Sequence, residues 1–218
     1  ADAHVAAALE REQAEFGDLL IPSTGLDLED GYKSLVPKTK AFARYAHARH
    51  PEAAFVMFAD DDVLVDVPRL LEAMEQTLPR RRFYAGQVWA EHFRKPTLPQ
   101  RSTTHRNYLP EAVYPMSQLP PFAIGPHYLL SMDCAAFIHK NKDDLAGVGT
   151  LEDVSVASWL LALQVQPQAP LPWQGSWFLC PLAQASEQKV LPSMRTASSL
   201  SPGRTSGTLV TLYKMSPN

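Results

Sequence analysis

The sequence predicts an α/β domain, and three observations carry that prediction. The continuous apolar run Phe55-Val56-Met57-Phe58-Ala59 has the length and aromatic content of a strand buried on both faces. Helix-period stretches precede and follow it. Further strand-like segments recur at 82–89, 128–130 and 209–213, separated by helix-period segments and loops. Strands alternating with helices imply a sheet layered with helices. With 45% hydrophobic and 20% charged residues over 218 positions, the chain can bury a core of ordinary size.

The elements follow in order. Val5, Leu9 and Phe16 lie at helical spacing, and Gly17 stops that helix. Leu19-Leu20-Ile21 reads as a short strand before a Pro/Ser/Gly loop carrying Asp27, Glu29 and Asp30. A second helix is predicted from about Ser34 to His50, with Leu35, Phe42 and Ala46 on its buried face. Pro37 fits only its first turn. After the 55–59 strand, Asp66 is placed to cap a helix whose stripe is Leu70, Leu71, Met74 and Leu78. Arg82 to Trp89 reads as a strand. Residues 90–126 read as a long irregular segment rich in Pro, Arg and His, kept in order by aromatics. A strand at Tyr128-Leu129-Leu130 follows, and Ser131 is placed to cap a helix containing Cys134, Phe137 and Ile138. Thr150, with Asp153 three residues on, approximates a capping box for a helix carrying Val156, Leu160 and Leu163. Residues 184–208 are polar and rich in Ser, Thr, Pro and Gly, and Leu209 to Tyr213 reads as a last strand.

Composition excludes several classes. The net charge is −3, against the basic excess of a general nucleic-acid binder. Two cysteines, Cys134 and Cys180, allow one disulfide at most. No run of ~18 apolar residues is present to span a membrane. The chain has no Gly-rich loop ending in Lys-Ser/Thr, and Val65 stands where an EF-hand loop needs Gly.

Asp60-Asp61-Asp62 closes the buried strand. Adjacent carboxylates repel unless a cation or hydrogen bonds offset them. Ligands of open α/β sheets sit at the carboxyl ends of strands. A hard divalent cation held there keeps positions open for phosphate oxygens. A solvated acidic turn is the alternative for the triplet alone. A metal-dependent phosphoryl-transfer enzyme is another reading of it, though no second motif supports that one.

The segment from Phe55 to Asp66 resembles the core motif of the β-1,3-glycosyltransferases, the galactosyltransferase and N-acetylglucosaminyltransferase family that includes the Fringe-like enzymes. Glu15-Phe16-Gly17-Asp18-Leu19-Leu20 is similar to its acid–aromatic–Gly-Asp-Ile-Leu segment. Asp30-Gly31-Tyr32-Lys33-Ser34-Leu35-Val36-Pro37-Lys38-Thr39 is similar to its Asp-Ser-Tyr-x-Asn-Leu-Thr-x-Lys-Thr segment. Tyr84-Ala85-Gly86, Tyr114-Pro115, the stretch from Pro120 to Ser131 and Leu151-Glu152-Asp153-Val154 resemble its later blocks, in the family's order.

The resemblance implies a GT-A fold, a Rossmann-like α/β sheet, here lacking the family's first strand. Residues 1–183 would form a partial catalytic domain, 184–208 a polar loop, and 209–218 the closing strand of the same domain. It implies an inverting hexosyltransferase that moves galactose or N-acetylglucosamine from a UDP-sugar to an acceptor sugar hydroxyl in β-1,3 linkage, assisted by Mn2+. Asp62, with Asp60, would hold the metal. Asp60, Asp61 and Lys38 would bind the donor, although a solvated helix lysine is the plain alternative for Lys38. Asp153 would be the catalytic base, and Glu152 a cap or an acceptor contact. His127 is expected to be satisfied or exposed, and Trp159 to pack in the core, while Trp89 is among the tryptophans available to stack on an acceptor sugar. The partners implied are the donor and a glycan or glycoprotein acceptor, with no nucleic acid. The location implied is the lumenal side of the Golgi membrane, through an anchor outside this segment. One position departs from the family's pattern: Tyr213 stands where the family has a His that often ligates metal. A catalytically inactive relative that binds carbohydrate or protein is therefore the second reading.

Overall fold

The computed structural model describes residues 3–21, 28, 31–60, 63–65, 67–68, 70–71, 74, 78–89, 96–169, 178–179 and 209–214. Asp61, Asp62, Asp66, Cys180 and the polar stretch 184–208 lie outside the described residues. Two helices open the chain, α1 (Ala3–Phe16) and α2 (Leu35–Arg49), the second entered through a 3-10 turn at Tyr32–Ser34. The strands β1 (Phe55–Asp60), β2 (Leu64–Val65), β3 (Tyr84–Val88) and β4 (Ala123–Ser131) follow. Then come α3 (Met132–Lys140), α4 (Glu152–Leu161), β5 (Phe178–Leu179) and β6 (Leu209–Lys214).

The main sheet has the order β3-β4-β1-β6, and β2 pairs with β5 in a second, two-stranded sheet. β1 runs parallel to β6 and antiparallel to β4, which is antiparallel to β3. The α/β composition is as expected, and the sheet is mixed rather than all parallel. β1 lies inside the sheet, which explains its unbroken apolar run. Val56 and Phe58 face a core shared with α2, α3 and α4. Phe55, Met57 and Ala59 face the other side, where the helical residues Leu70 and Met74 cover them. Alternate residues of one strand thus enter two different cores. Ala43 and Ala46 of α2 and Ala135 of α3 are fully buried, and such small side chains let helix backbones approach closely.

Several local expectations change. Leu19–Ile21 is not a strand: its backbone is irregular, and the Leu19 amide bonds to the Gln13 side chain at 2.6 Å. Helix α1 buries none of its residues, and Val5 and Phe16 stay exposed. Ser131 does not cap α3 through its side chain. Its hydroxyl accepts from the Phe83 amide at 2.9 Å, fastening β3 to the end of β4. Thr150 is not the cap of α4 either; Leu151 is, with no side-chain cap bond. The Ser155 hydroxyl accepts the Val148 amide at 2.9 Å and donates to the Leu151 carbonyl at 2.5 Å, so that turn is tied from inside the helix. Leu163 lies just past α4, and Leu78 is not helical.

Strand β4 begins earlier than the sequence suggests, at Ala123, and contains Pro126. The pairing with β3 shifts register between Gly86 and Val88. Pro126 falls within this irregularity, and a bulge tolerates a residue without an amide proton. Gly86 sits at the same crossing. A Cβ there would lie 2.7 Å from the Ala123 Cβ and 3.1 Å from the His127 carbonyl, so only glycine fits. The bulge directs residues 123–126 toward the start of α4.

Candidate active site

β1 ends at Asp60, which is half-buried at the carboxyl end of the strand. Across from it, α4 opens with Glu152 and Asp153 in its first turn, where carboxylates complement the positive end of the helix dipole. The two carboxylates Asp60 and Asp153 line one cleft of about 650 Å3. The 96–122 segment, the aromatic residues Tyr32 and Trp89, the bulged part of β4 and the start of α4, Glu152 included, also line it. Trp89 and Phe122 stack nearly parallel, with ring centroids 6.3 Å apart at 12°.

Asp153 is held by backbone donors. Its Oδ2 accepts the Gly125 amide at 3.0 Å, and its Oδ1 accepts the Val154 amide at 2.8 Å. The first bond crosses from α4 to the bulged part of β4, so the bulge and the helix start fix this carboxylate together. Each oxygen keeps further lone-pair capacity for a substrate hydroxyl.

Glu152 also borders the cleft from the first turn of α4, but most of it is buried beneath its neighbour. It is 3% exposed. The Tyr128 hydroxyl donates to its Oε2 at 3.0 Å, and the Thr39 hydroxyl makes a longer contact of 3.5 Å with the same oxygen. One buried carboxylate therefore joins α4, β4 and α2. Tyr128 stacks on Phe58 (4.8 Å, 16°) and meets Tyr84 edge-on (6.0 Å, 82°). The Tyr84 hydroxyl accepts the Ala123 amide at 2.9 Å. Burial raises both phenol pKa values well above the ordinary value, and the negative Glu152 adds to this in each case. Both tyrosines stay neutral hydrogen-bonding groups beneath the cleft. A signal for this network is present in the sequence: a tyrosine inside an apolar strand needs a buried partner for its hydroxyl.

Lys38 is buried in α2 rather than solvated, and it is not among the described residues that line the cleft. Trp159 is core, as expected; its Nε1 donates to the Ala146 carbonyl at 2.6 Å. Lys40 lies over the Trp159 ring at 5.4 Å and donates to the Lys142 and Leu145 carbonyls, securing the 142–146 loop that leads to α4. Cys134 is a free, buried thiol. Position 213 lies on β6 beside Ala59, one residue before the register pair Asp60 and Lys214.

His127 is fully buried in β4, and burial pulls its pKa down to about 4. The folded state therefore keeps the ring neutral, while the unfolded chain protonates it near 6.5. Below pH ~6.5 the unfolded state binds the extra proton, so stability falls as pH falls and levels off below ~4. The expected loss from this residue is about 2 kcal/mol between pH 7 and pH 5. Urea melts of wild type and His127→Gln at both pH values measure it. An equal pH dependence in the two proteins would contradict the assignment.

An oxygen-only donor set is what a hard divalent cation requires. Asp60 supplies one such group in the cleft. Among the described residues no cluster of three or more His, Cys, Asp or Glu forms a complete set, and Asp61 and Asp62 are outside them. No helix among the described residues is long and apolar enough to cross a membrane.

Comparison with known proteins adds an independent line. The galactosyltransferase family model matches residues 1–170. The chain is 30% identical over 177 residues to the hydroxyproline O-galactosyltransferase GALT2 of Arabidopsis thaliana, covering 81% of this chain and 24% of that protein. It is 33% identical over 153 residues to GALT6 of the same plant, covering 70% of this chain and 21% of the relative. It is also 31% identical over 161 residues to beta-1,3-galactosyltransferase 1 of Homo sapiens, covering 73% and 46% respectively. The chain thus spans less than half the length of these curated relatives.

Proposed function

The chain belongs to the galactosyltransferase family, and from that premise we propose that it carries the catalytic cleft of a UDP-sugar-dependent hexosyltransferase. The reaction is inverting transfer of galactose or N-acetylglucosamine to a sugar hydroxyl in β-1,3 linkage, on a GT-A-type domain facing the Golgi lumen. The observation that carries this reading is the meeting of Asp60 and Asp153 in one cleft. They come from distant parts of the chain, and the reaction needs a carboxylate at each end of the sugar being moved.

In this reading Asp60 and Asp62 hold Mn2+, while Asp61 and Lys38 contact the donor. Bound Mn2+ supplies charge neutralisation to the diphosphate leaving group. The protein's own residues do the rest. Asp153 accepts the proton of the attacking hydroxyl, on the face of the sugar opposite the leaving group, as inversion requires. Its two backbone hydrogen bonds aim it before substrate arrives. The aromatic wall excludes water from the far side and offers a flat surface to the acceptor ring.

The second reading, an inactive relative, rests on Tyr213. This residue stands beside Ala59 in the parallel register, where the family places a histidine. A phenol with a pKa near ~10 is a poor ligand at neutral pH. Calorimetric titration of UDP with and without Mn2+, on wild type and Asp62→Ala, decides between them. The expected result is saturable, Mn2+-dependent binding that weakens by at least about tenfold in the variant. Metal-independent or undetectable UDP binding in wild type would count against the enzyme reading.

A further inference from the structure

Arg106 occupies the same cleft as Asp60 and Asp153. Its guanidinium lies 5.2 Å from the centre of the Tyr32 ring. Among the described residues no carboxylate pairs with it. A cation–π contact uses the face of the guanidinium and leaves its N–H groups free to donate. His105 and Asn107 line the cleft on either side in the chain. The His105 Nδ1 accepts the Asn107 amide at 3.0 Å, so in the neutral ring the proton is on Nε2, a further donor. Three consecutive residues therefore bring donors to one wall.

That wall is built rather than loose. Arg101 donates to the carbonyls of Leu109 (2.6 Å), Tyr114 (2.8 Å) and Met116 (3.1 Å), drawing three parts of the segment onto one side chain. The Leu109 amide bonds to the Gln100 carbonyl at 2.8 Å, and the Leu119 amide to the Thr97 carbonyl at 2.9 Å. The Trp89–Phe122 stack lies in the same cleft.

We propose that this cleft selects an acidic acceptor, a sugar whose carboxylate or sulfate binds the Arg106 guanidinium while its ring lies against the aromatic wall. The inference rests on the glycosyltransferase reading and adds a substrate class to it. In that reading the divalent cation offsets the charge of the donor diphosphate, and Arg106 is assigned to the acceptor. A neutral acceptor offers the guanidinium only uncharged hydroxyl oxygens, whereas the planar fork matches a carboxylate or sulfate with two parallel charge-assisted hydrogen bonds.

The test is equilibrium binding to the full chain by methyl β-D-glucuronide, methyl β-D-galactoside 6-sulfate and neutral methyl β-D-galactoside, with UDP and Mn2+ titrated in parallel. Wild type is expected to prefer one acidic glycoside over the neutral one by about tenfold at low salt, less at 0.5 M salt. Which glycoside wins identifies the acid. Arg106→Gln should abolish the preference and leave UDP affinity within about twofold, while Arg106→Lys keeps part of it. Equal binding of acidic and neutral glycosides by wild type overturns the proposal. So does an Arg106→Gln defect in UDP binding, which would give the cation to the donor. Loss of UDP binding in wild type with the acidic preference intact would instead overturn the glycosyltransferase reading.

Discussion

Asp153→Asn is expected to lower sugar transfer by about 10²–10⁴-fold, with UDP affinity unchanged. The amide keeps an oxygen that accepts one of the two backbone amides now bound by the carboxylate, Gly125 or Val154. It cannot take the proton of an attacking hydroxyl. The side chain is half-exposed at the start of α4, so the substitution leaves the buried core in place. Retained helix content and UDP binding, measured beside transfer rate, separate lost chemistry from lost structure. A rate within tenfold of wild type would remove Asp153 from the role of base. In that case the carboxylate serves to dock α4 on β4, through its bond to Gly125.

The largest expected effect on stability is at Tyr128. Tyr128→Ala removes a fully buried ring that stacks on Phe58 and abuts Tyr84. Deletions of this kind cost about 3–5 kcal/mol, a large fraction of the ~5–15 kcal/mol that holds a domain folded. Tyr128→Phe is the sharper probe. It keeps the ring and removes only the hydroxyl that donates to Glu152. A hydrogen bond to a charged group contributes about 1.5–3 kcal/mol. The same loss should shrink when Glu152 is already Gln, because the two residues form one network. Denaturation of the two single variants and the double variant measures that coupling. A Tyr128→Phe effect under about 0.5 kcal/mol would mean the buried carboxylate does not depend on this donor.

The network also bears on the cleft. Glu152 is anchored below and Asp153 is presented above, on consecutive residues of one helical turn. Loosening the first should blur the position of the second, and small misplacements of a reacting group are costly.

Much of the architecture was legible in local pattern. The apolar run at 55–59 announced a strand buried on both faces, and the structure places its alternate residues in two cores. Phe42 and Ala46 marked the inner face of α2, and Trp159 the core side of α4. The acidic end of β1 stood out as candidate chemistry by its own pattern, and the acidic start of α4 through the family resemblance. Other signals misled because something distant outcompeted them. Ser131 has the side chain of a helix cap, but the Phe83 amide claims its hydroxyl. Thr150 has the spacing of a capping box, but Ser155 ties that turn from within. Leu19–Ile21 has the apolarity of a strand, but its backbone is irregular and the Gln13 side chain claims the Leu19 amide.

By itself, the sequence determined the helices, the buried strand and the carboxylates that end or begin them, because periodicity and charge are properties of neighbouring residues. Only the tertiary structure decided the mixed order of the sheet, the burial of Glu152 under Tyr128 and Thr39, and the setting of Arg106 over Tyr32. Those arrangements depend on which surfaces meet once the chain has closed. Strand partners, buried polar partners and cleft walls come from residues far apart in sequence, and no local period records them.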